Sequence, residues 1–159
     1  MKIRVGLASQ TLHFLDEGQD IVYRVSTSKY GAGERKGSYM TPRGLHVVRA
    51  KIGEGAPLNA VFVARRQTGE IYSGQLDRLN PGRDWILTRI LWLSGCQPGF
   101  NRLGDVDTMR RFIYIHGTPD RNEMGKPGSI GCIRMWNADL VDLFERVAPG
   151  TPVEILEHS

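Results

Sequence analysis

The run RRFIYIHGTPDRNEMGKPGSIGCIRM, from Arg110 to Met135, decides how this chain is read. Phe112, Ile113, Tyr114 and Ile115 are contiguous β-branched or aromatic residues and predict a strand that carries His116 at its end. Gly117, Pro119, Asp120, Asn122, Gly125, Pro127 and Gly128 follow, a density of turn formers that belongs to a surface loop. Ser129-Ile130-Gly131-Cys132-Ile133-Arg134 then places one thiol and one guanidinium two residues apart. One loop therefore joins a potential nucleophile to a potential base.

Working outward, Ile3 to Leu15 alternates in hydrophobicity around Ser9-Gln10, which reads as two short strands or one bent strand. Ile21 to Ser26 supplies an antiparallel partner across the turn Asp16 to Gln19. Ser28 to Met40, rich in Gly, Ser, Lys and Tyr, reads as a mobile loop. Thr41-Pro42-Arg43-Gly44 reads as a turn into a strand over Leu45 to Ala50. Ala60 to Ala64 is a short strand, broken over Arg65 to Gly69, with an edge strand at Ile71-Tyr72-Ser73. Trp85 to Leu93, after the turn Asn80 to Asp84, reads as a buried strand, and Gly95 to Asp107 as loop. One helix follows, with Asn137 as its cap, Leu140, Leu143, Phe144 and Val147 at helical spacing, and Pro149-Gly150 as its stop.

The 159 residues suit one domain spanning the whole chain. With 40% hydrophobic and 24% charged residues the composition is that of a soluble globular protein, and 19 glycines favour a β-rich fold. The net charge of +4 is spread over dispersed pairs such as Arg65-Arg66 and Arg110-Arg111. That argues against nucleic acid and suits an anionic polymer such as cell wall. Two cysteines, Cys96 and Cys132, are too few for a disulfide scaffold and are expected as free thiols. No signal peptide and no membrane span are legible. No metal site is expected, because neither a C-x-x-C nor an H-x-x-x-H occurs. A phosphatase loop would need arginine six positions after the cysteine, where Ala138 stands, and no phosphate-binding G-x-x-x-x-G-K-[ST] is present.

A cysteine attacks as thiolate, so its site must lower the thiol pKa or hold a base beside it. His116 is the natural base, and the returning loop is expected to bring Cys132 within about 3 to 4 Å of it. In an extended segment Arg134 lies on the side of Cys132, where its charge favours thiolate and can hold a substrate carboxylate. The amides around Gly131 and Cys132 are candidate oxyanion donors, and Ser129 either orients substrate or braces the loop. Tyr114 either lines the site or packs in the core. Thiolate, imidazole and oxyanion donors together indicate acyl transfer without a cofactor.

The chain resembles the L,D-transpeptidase family, also called the YkuD domain, in its His116-Gly117, its Ser129-x-Gly131-Cys132-x-Arg134 and its Thr41-Pro42-x-Gly44. Its opening Ile3 to Leu15 and its closing Gly150 to Ile155 are similar to the same family. The resemblance implies a mainly β fold, a sandwich or mixed sheet of the L,D-transpeptidase catalytic type with one late helix. It implies a catalytic Cys132 and His116, with the Gly117 carbonyl holding the other ring nitrogen. It also implies peptidoglycan cross-linking from tetrapeptide stem peptides, carbapenem-type inhibitors and a cell-envelope location, against which stands the absence of a legible export signal. Hydrolysis at the same acyl-enzyme, by an L,D-carboxypeptidase or wall amidase, and a non-catalytic wall-binding module are the alternatives. Ile130 departs from the family's histidine or asparagine there and bears on substrate preference.

Overall fold

A computed structural model describes residues 1–159. The chain opens as a meander, β1 (Lys2–Gly6), β2 (Thr11–Asp16) and β3 (Gln19–Ser26), because Ile3, Val5, Leu12 and Phe14 alternate toward one buried face. After β4 (Gly44–Ile52), the hairpin β5 (Ala60–Val63) and β6 (Arg66–Ile71) precedes a short helix α1 (Gly74–Leu79) and the ten-residue β7 (Ile86–Gly95). A 3-10 turn over Gly104–Val106, then β8 (Tyr114–Gly117), β9 (Ile133–Met135), α2 (Asn137–Arg146) and β10 (Pro152–Leu156) complete it.

All ten strands form one mixed sheet in the order β4-β10-β1-β2-β3-β9-β8-β7-β5-β6, and an additional β4–β7 pairing closes it on itself. The β1–β10 and β8–β9 pairs are parallel and the others antiparallel. Closure works because β7 is long enough to share one edge between β5 and β4 while β8 occupies the other. The expected mainly β mixed sheet with a late helix is what forms. The core lies inside the closed sheet, where Leu140, Leu143 and Phe144 of α2 meet Leu91, Ile115 and Ile133.

Five local expectations need correction. Arg65 to Gly69 does not end the hairpin: Ala64 and Arg65 alone make the turn, with φ of 48° and 65°, and β6 follows at once. Ser73 is not strand but the cap of α1, its Oγ accepting from the Leu76 amide at 3.1 Å, and six residues with no buried side chain left no periodic signal. Phe112 stands outside the strand, with φ +57° and half its surface exposed, and Ile113 precedes β8 as well. Asn137 does not cap α2: it is the first helical residue, and its amide turns inward, as described below. The loop Ser28 to Met40, read as mobile, is tied down by bridges from Ser28 to Ser129 and from Ala32 to Thr41.

His46 on β4 is buried between the Gly44 carbonyl, 3.0 Å from Nδ1, and the Thr108 hydroxyl, 3.0 Å from Nε2. The carbonyl can only accept, so Nδ1 carries the proton and Nε2 accepts from Thr108. Burial pushes this imidazole down to about 4 from an ordinary value of 6.5, against the Gly44 carbonyl and Glu34, which raise it. A group whose folded pKa is depressed stabilises the fold above its unfolded pKa, and that stability is lost as pH falls. The window runs from 6.5 down to about 4 and is worth about 3 kcal/mol. Thermal unfolding across this window should therefore show a falling Tm, with a shallower fall in His46→Asn.

Candidate active site

The parallel pairing of β8 and β9 sets Ile115 beside Ile133 and His116 beside Arg134. Side chains alternate along both strands, so Ile115 and Ile133 face the core while Tyr114, His116, Cys132 and Arg134 share the opposite face. The loop between the strands thus returns the thiol to the neighbourhood of the imidazole. Cys132 sits one residue before β9, half-buried, at the floor of a cleft of about 620 Å3 walled by Tyr114, Ile86, Ile113 and Ile130. Ile130, 43% exposed, projects over this cleft, so the family departure at this position touches the space a substrate would enter.

His116 is almost fully enclosed, and its Nδ1 lies 2.6 Å from the Gly117 carbonyl oxygen. A carbonyl only accepts, so Nδ1 carries the hydrogen and Nε2 keeps its lone pair. Burial lowers the His116 pKa and Arg134 lowers it further, while the Gly117 carbonyl and Asp84 raise it. The resting ring is neutral. Burial also pushes the Cys132 thiol up to about 12, with Asp84 adding to the rise and the Tyr114 amide, Arg134 and Arg111 opposing it. Arg134 acts on the thiol in the expected direction, favouring thiolate, but desolvation outweighs the nearby guanidinium. At pH 7 the resting sulfur is therefore a thiol.

The expected thiol-to-imidazole hydrogen bond is not formed here. The sulfur accepts from the Tyr114 amide at 3.3 Å, and its S–H points to the Phe112 carbonyl at 3.4 Å. The left-handed backbone at Phe112 presents that carbonyl, and a thiol is a rotor that takes the nearest acceptor.

Ser129 is buried and braces the turn: its Oγ donates to the Cys132 carbonyl at 2.6 Å and accepts from the Gly131 amide at 3.2 Å. The Gly131 amide is therefore already engaged, whereas the Cys132 amide meets no acceptor within the protein. Gly131 has φ +132°, a region closed to other residues, and its carbonyl accepts from the Thr41 hydroxyl at 2.9 Å. Thr41, noticed in the sequence only through the family likeness, thus fixes the residue before the thiol. Arg134 does not reach into the cleft: it donates to the Gly128 carbonyl at 3.0 Å and pairs with Asp84 at 3.4 Å, with 14% of its side chain exposed.

Behind His116 lies a buried polar cluster that sequence reading did not find. A bulge in β7 puts Thr88 at φ +77°, and its hydroxyl donates to Asn137 Oδ1 at 2.8 Å. Asn137 Nδ2 donates to the Thr118 carbonyl and to Asn59 Oδ1, both at 3.1 Å. This amide abuts Gly117, the residue that orients the imidazole. Asn137→Ala should leave these partners unpaired, costing about 1 to 3 kcal/mol. It should also disturb the Gly117 carbonyl that orients His116, as a change in the His116 ring resonances by NMR well below the unfolding temperature would register.

The family model for the YkuD L,D-transpeptidase catalytic domain matches residues 1–155. A Bacillus subtilis (strain 168) protein, YqjB, named as a candidate L,D-transpeptidase, is 41% identical over 61 residues, 38% of this chain and 33% of that protein. A crystal structure of an Enterococcus faecium L,D-transpeptidase mutant superposes with a TM-score of 0.58 at 17% identity, covering 98% of this chain and 49% of that one. L,D-transpeptidase 3 from Mycobacterium tuberculosis, in complex with a faropenem-derived adduct, gives 0.56 at 15% identity, covering 98% and 59%. The present chain thus spans about half the length of the first of these structures and a third of YqjB. Identities this low in the superpositions speak for the fold.

Proposed function

The chain belongs to the L,D-transpeptidase catalytic-domain family, and from that premise we propose that it cross-links peptidoglycan by cysteine acyl transfer. The observation that carries this reading is the tautomer of His116: Nδ1–H is spent on the Gly117 carbonyl, which leaves Nε2 as a base on the sheet face that bears Cys132.

The donor is a tetrapeptide stem. The Cys132 S–H swings from the Phe112 carbonyl to His116 Nε2, which takes the proton as sulfur bonds to the carbonyl carbon of the L-centre residue. The tetrahedral oxyanion lies against the uncommitted Cys132 amide. His116 returns its proton to the departing D-alanine amine, the C–N bond breaks, and a thioester remains. The amine of a second stem then attacks the thioester, losing its proton to His116, and the thiolate leaves and is reprotonated. Because the thiol pKa is high, proton removal accompanies attack. The substrate places this work at the cell envelope; no helix of the chain is long and apolar enough to cross a membrane.

Incubation of purified protein with tetrapeptide muropeptides, read by mass spectrometry, tests the proposal. Cross-linked dimers are expected. Tripeptide without dimer would instead identify water as the acceptor and an L,D-carboxypeptidase, while unchanged substrate and unchanged protein mass after carbapenem exposure would indicate a wall-binding module.

A further inference from the structure

We propose that Arg65 is a carboxylate-binding residue at the mouth of the thiol cleft, reading a carboxylate of the acyl donor at a distance from the carbonyl that Cys132 attacks. The subsite rests on the acyl-transfer reading for its biological meaning, though not for its test.

The starting observation is the turn. Two-residue hairpins ordinarily use Asn-Gly or Asp-Gly, because both positions are left-handed. Here the pair is Ala64-Arg65, at φ 48° and 65°, so a long side chain occupies a position that disfavours it. Strain of this kind gathers where a side chain must be held in one place. Arg65 is so held. Its guanidinium carbon lies 4.8 Å from the ring centroids of both Trp92 and Phe112, and its Nη1 donates to the Tyr114 hydroxyl at 3.0 Å.

These neighbours are not incidental. The Phe112 carbonyl accepts from the Cys132 thiol and the Tyr114 amide donates to its sulfur, so the residues that grip Arg65 also grip the nucleophile. Phe112 and Tyr114 thereby link the guanidinium, through their side chains, to the thiol, through their backbone.

Charge singles out the same residue. Arg65 has no carboxylate within ion-pair distance, and its remaining N–H donors are uncommitted. Arg134, which the sequence suggested for a substrate carboxylate, is spent on Gly128 and Asp84 and opens instead on a separate polar pocket beside Arg121 and Lys126. Arg111 is spent on the carbonyls of Gly33, Glu34 and Met40. Lys36 and Arg110 add exposed positive charge to the cleft rim, against Asp84 as its one carboxylate. A planar fork held against aromatic faces is the geometry that binds a carboxylate with two parallel hydrogen bonds.

The test uses the full chain carrying Cys96→Ser, so that Cys132 is the only thiol, and follows its alkylation by intact mass. The probes are bromoacetyl-D-alanyl-D-alanine, its C-terminal carboxamide, and iodoacetamide, which lacks the dipeptide. The carboxylate probe is expected to react about tenfold faster than the carboxamide, the preference worth one charge-assisted contact. Arg65→Met should abolish the preference and Arg65→Lys retain part of it, each carboxylate-to-carboxamide ratio being read against the same variant's iodoacetamide rate, which reports the thiol's own reactivity. Equal rates for the two dipeptides in the parent, or a preference that survives Arg65→Met, would overturn the subsite. A parent that discriminates the probes yet forms no cross-linked dimer would refute the transpeptidase reading and leave the subsite standing.

Discussion

His116→Ala is expected to slow acylation of Cys132 at pH 7 by about 10^3-fold, within the range of about 10^2 to 10^4 supplied by a positioned general base. Burial raises the thiol pKa, so a protein without the imidazole must rely on the small thiolate population present at pH 7. Its rate should climb about tenfold per pH unit through the alkaline range, because each unit multiplies the thiolate by that factor. The parent should behave differently. Burial lowers the His116 pKa, so the neutral base is already present at pH 6.5 and persists into mild acid. Its rate should therefore be flat between pH 6.5 and 8 and decline only below that window. Acylation by a carbapenem, followed by intact mass across pH, gives both curves. An inflection in the parent centred at 6.5 would mean that the imidazole is hydrated rather than enclosed.

Gly117→Ala is the second large effect. A Cβ on Gly117 would lie 2.1 Å from Asn137 Oδ1 and 2.6 Å from the Leu87 carbonyl oxygen. Neither neighbour can give way easily. The Asn137 amide is held by Thr88, Asn59 and Thr118, and Leu87 is a ladder partner of Gly117 itself. Relief requires β8 to move away from β7, which costs about 1 to 3 kcal/mol as overpacking and shifts the carbonyl that orients His116. Catalysis should fall by about 10^2-fold, since a displacement of about 1 Å at a reacting group has that consequence. The measurement is kcat alongside Tm: loss of Tm with full kcat would separate the close approach at Gly117 from the reaction.

The fold was legible where neighbouring residues carry it. Alternation at Ile3, Val5, Leu12 and Phe14 marks the opening meander, and the dense apolar run from Trp85 onward marks the buried β7. Closure of the sheet was not legible, because the β4–β7 pairing joins residues about forty positions apart and leaves no local period. The short α1 and the Ala64-Arg65 turn escaped for related reasons: one buries no side chain, and the other uses residues that propensity assigns elsewhere.

At the site, residue types and their order pointed to His116 and Cys132, and the parallel strands put both on one face. Their protonation was not legible. Burial sets it, and burial emerges only from the packing of Tyr114, Ile90 and Phe62 around the cleft floor. The roles of Asn137 and Thr88 were hidden for another reason. An asparagine before a helical run reads as a cap, and its interior partners Thr88, Thr118 and Asn59 are far away in sequence.

The most direct test is to quench a reaction of the protein with tetrapeptide stem within one turnover, digest it, and map the adduct. The account predicts a thioester on the peptide carrying Cys132, with mass equal to the stem minus D-alanine, and none in Cys132→Ser. An adduct at Cys96, or cross-linked product formed by Cys132→Ser, would contradict it.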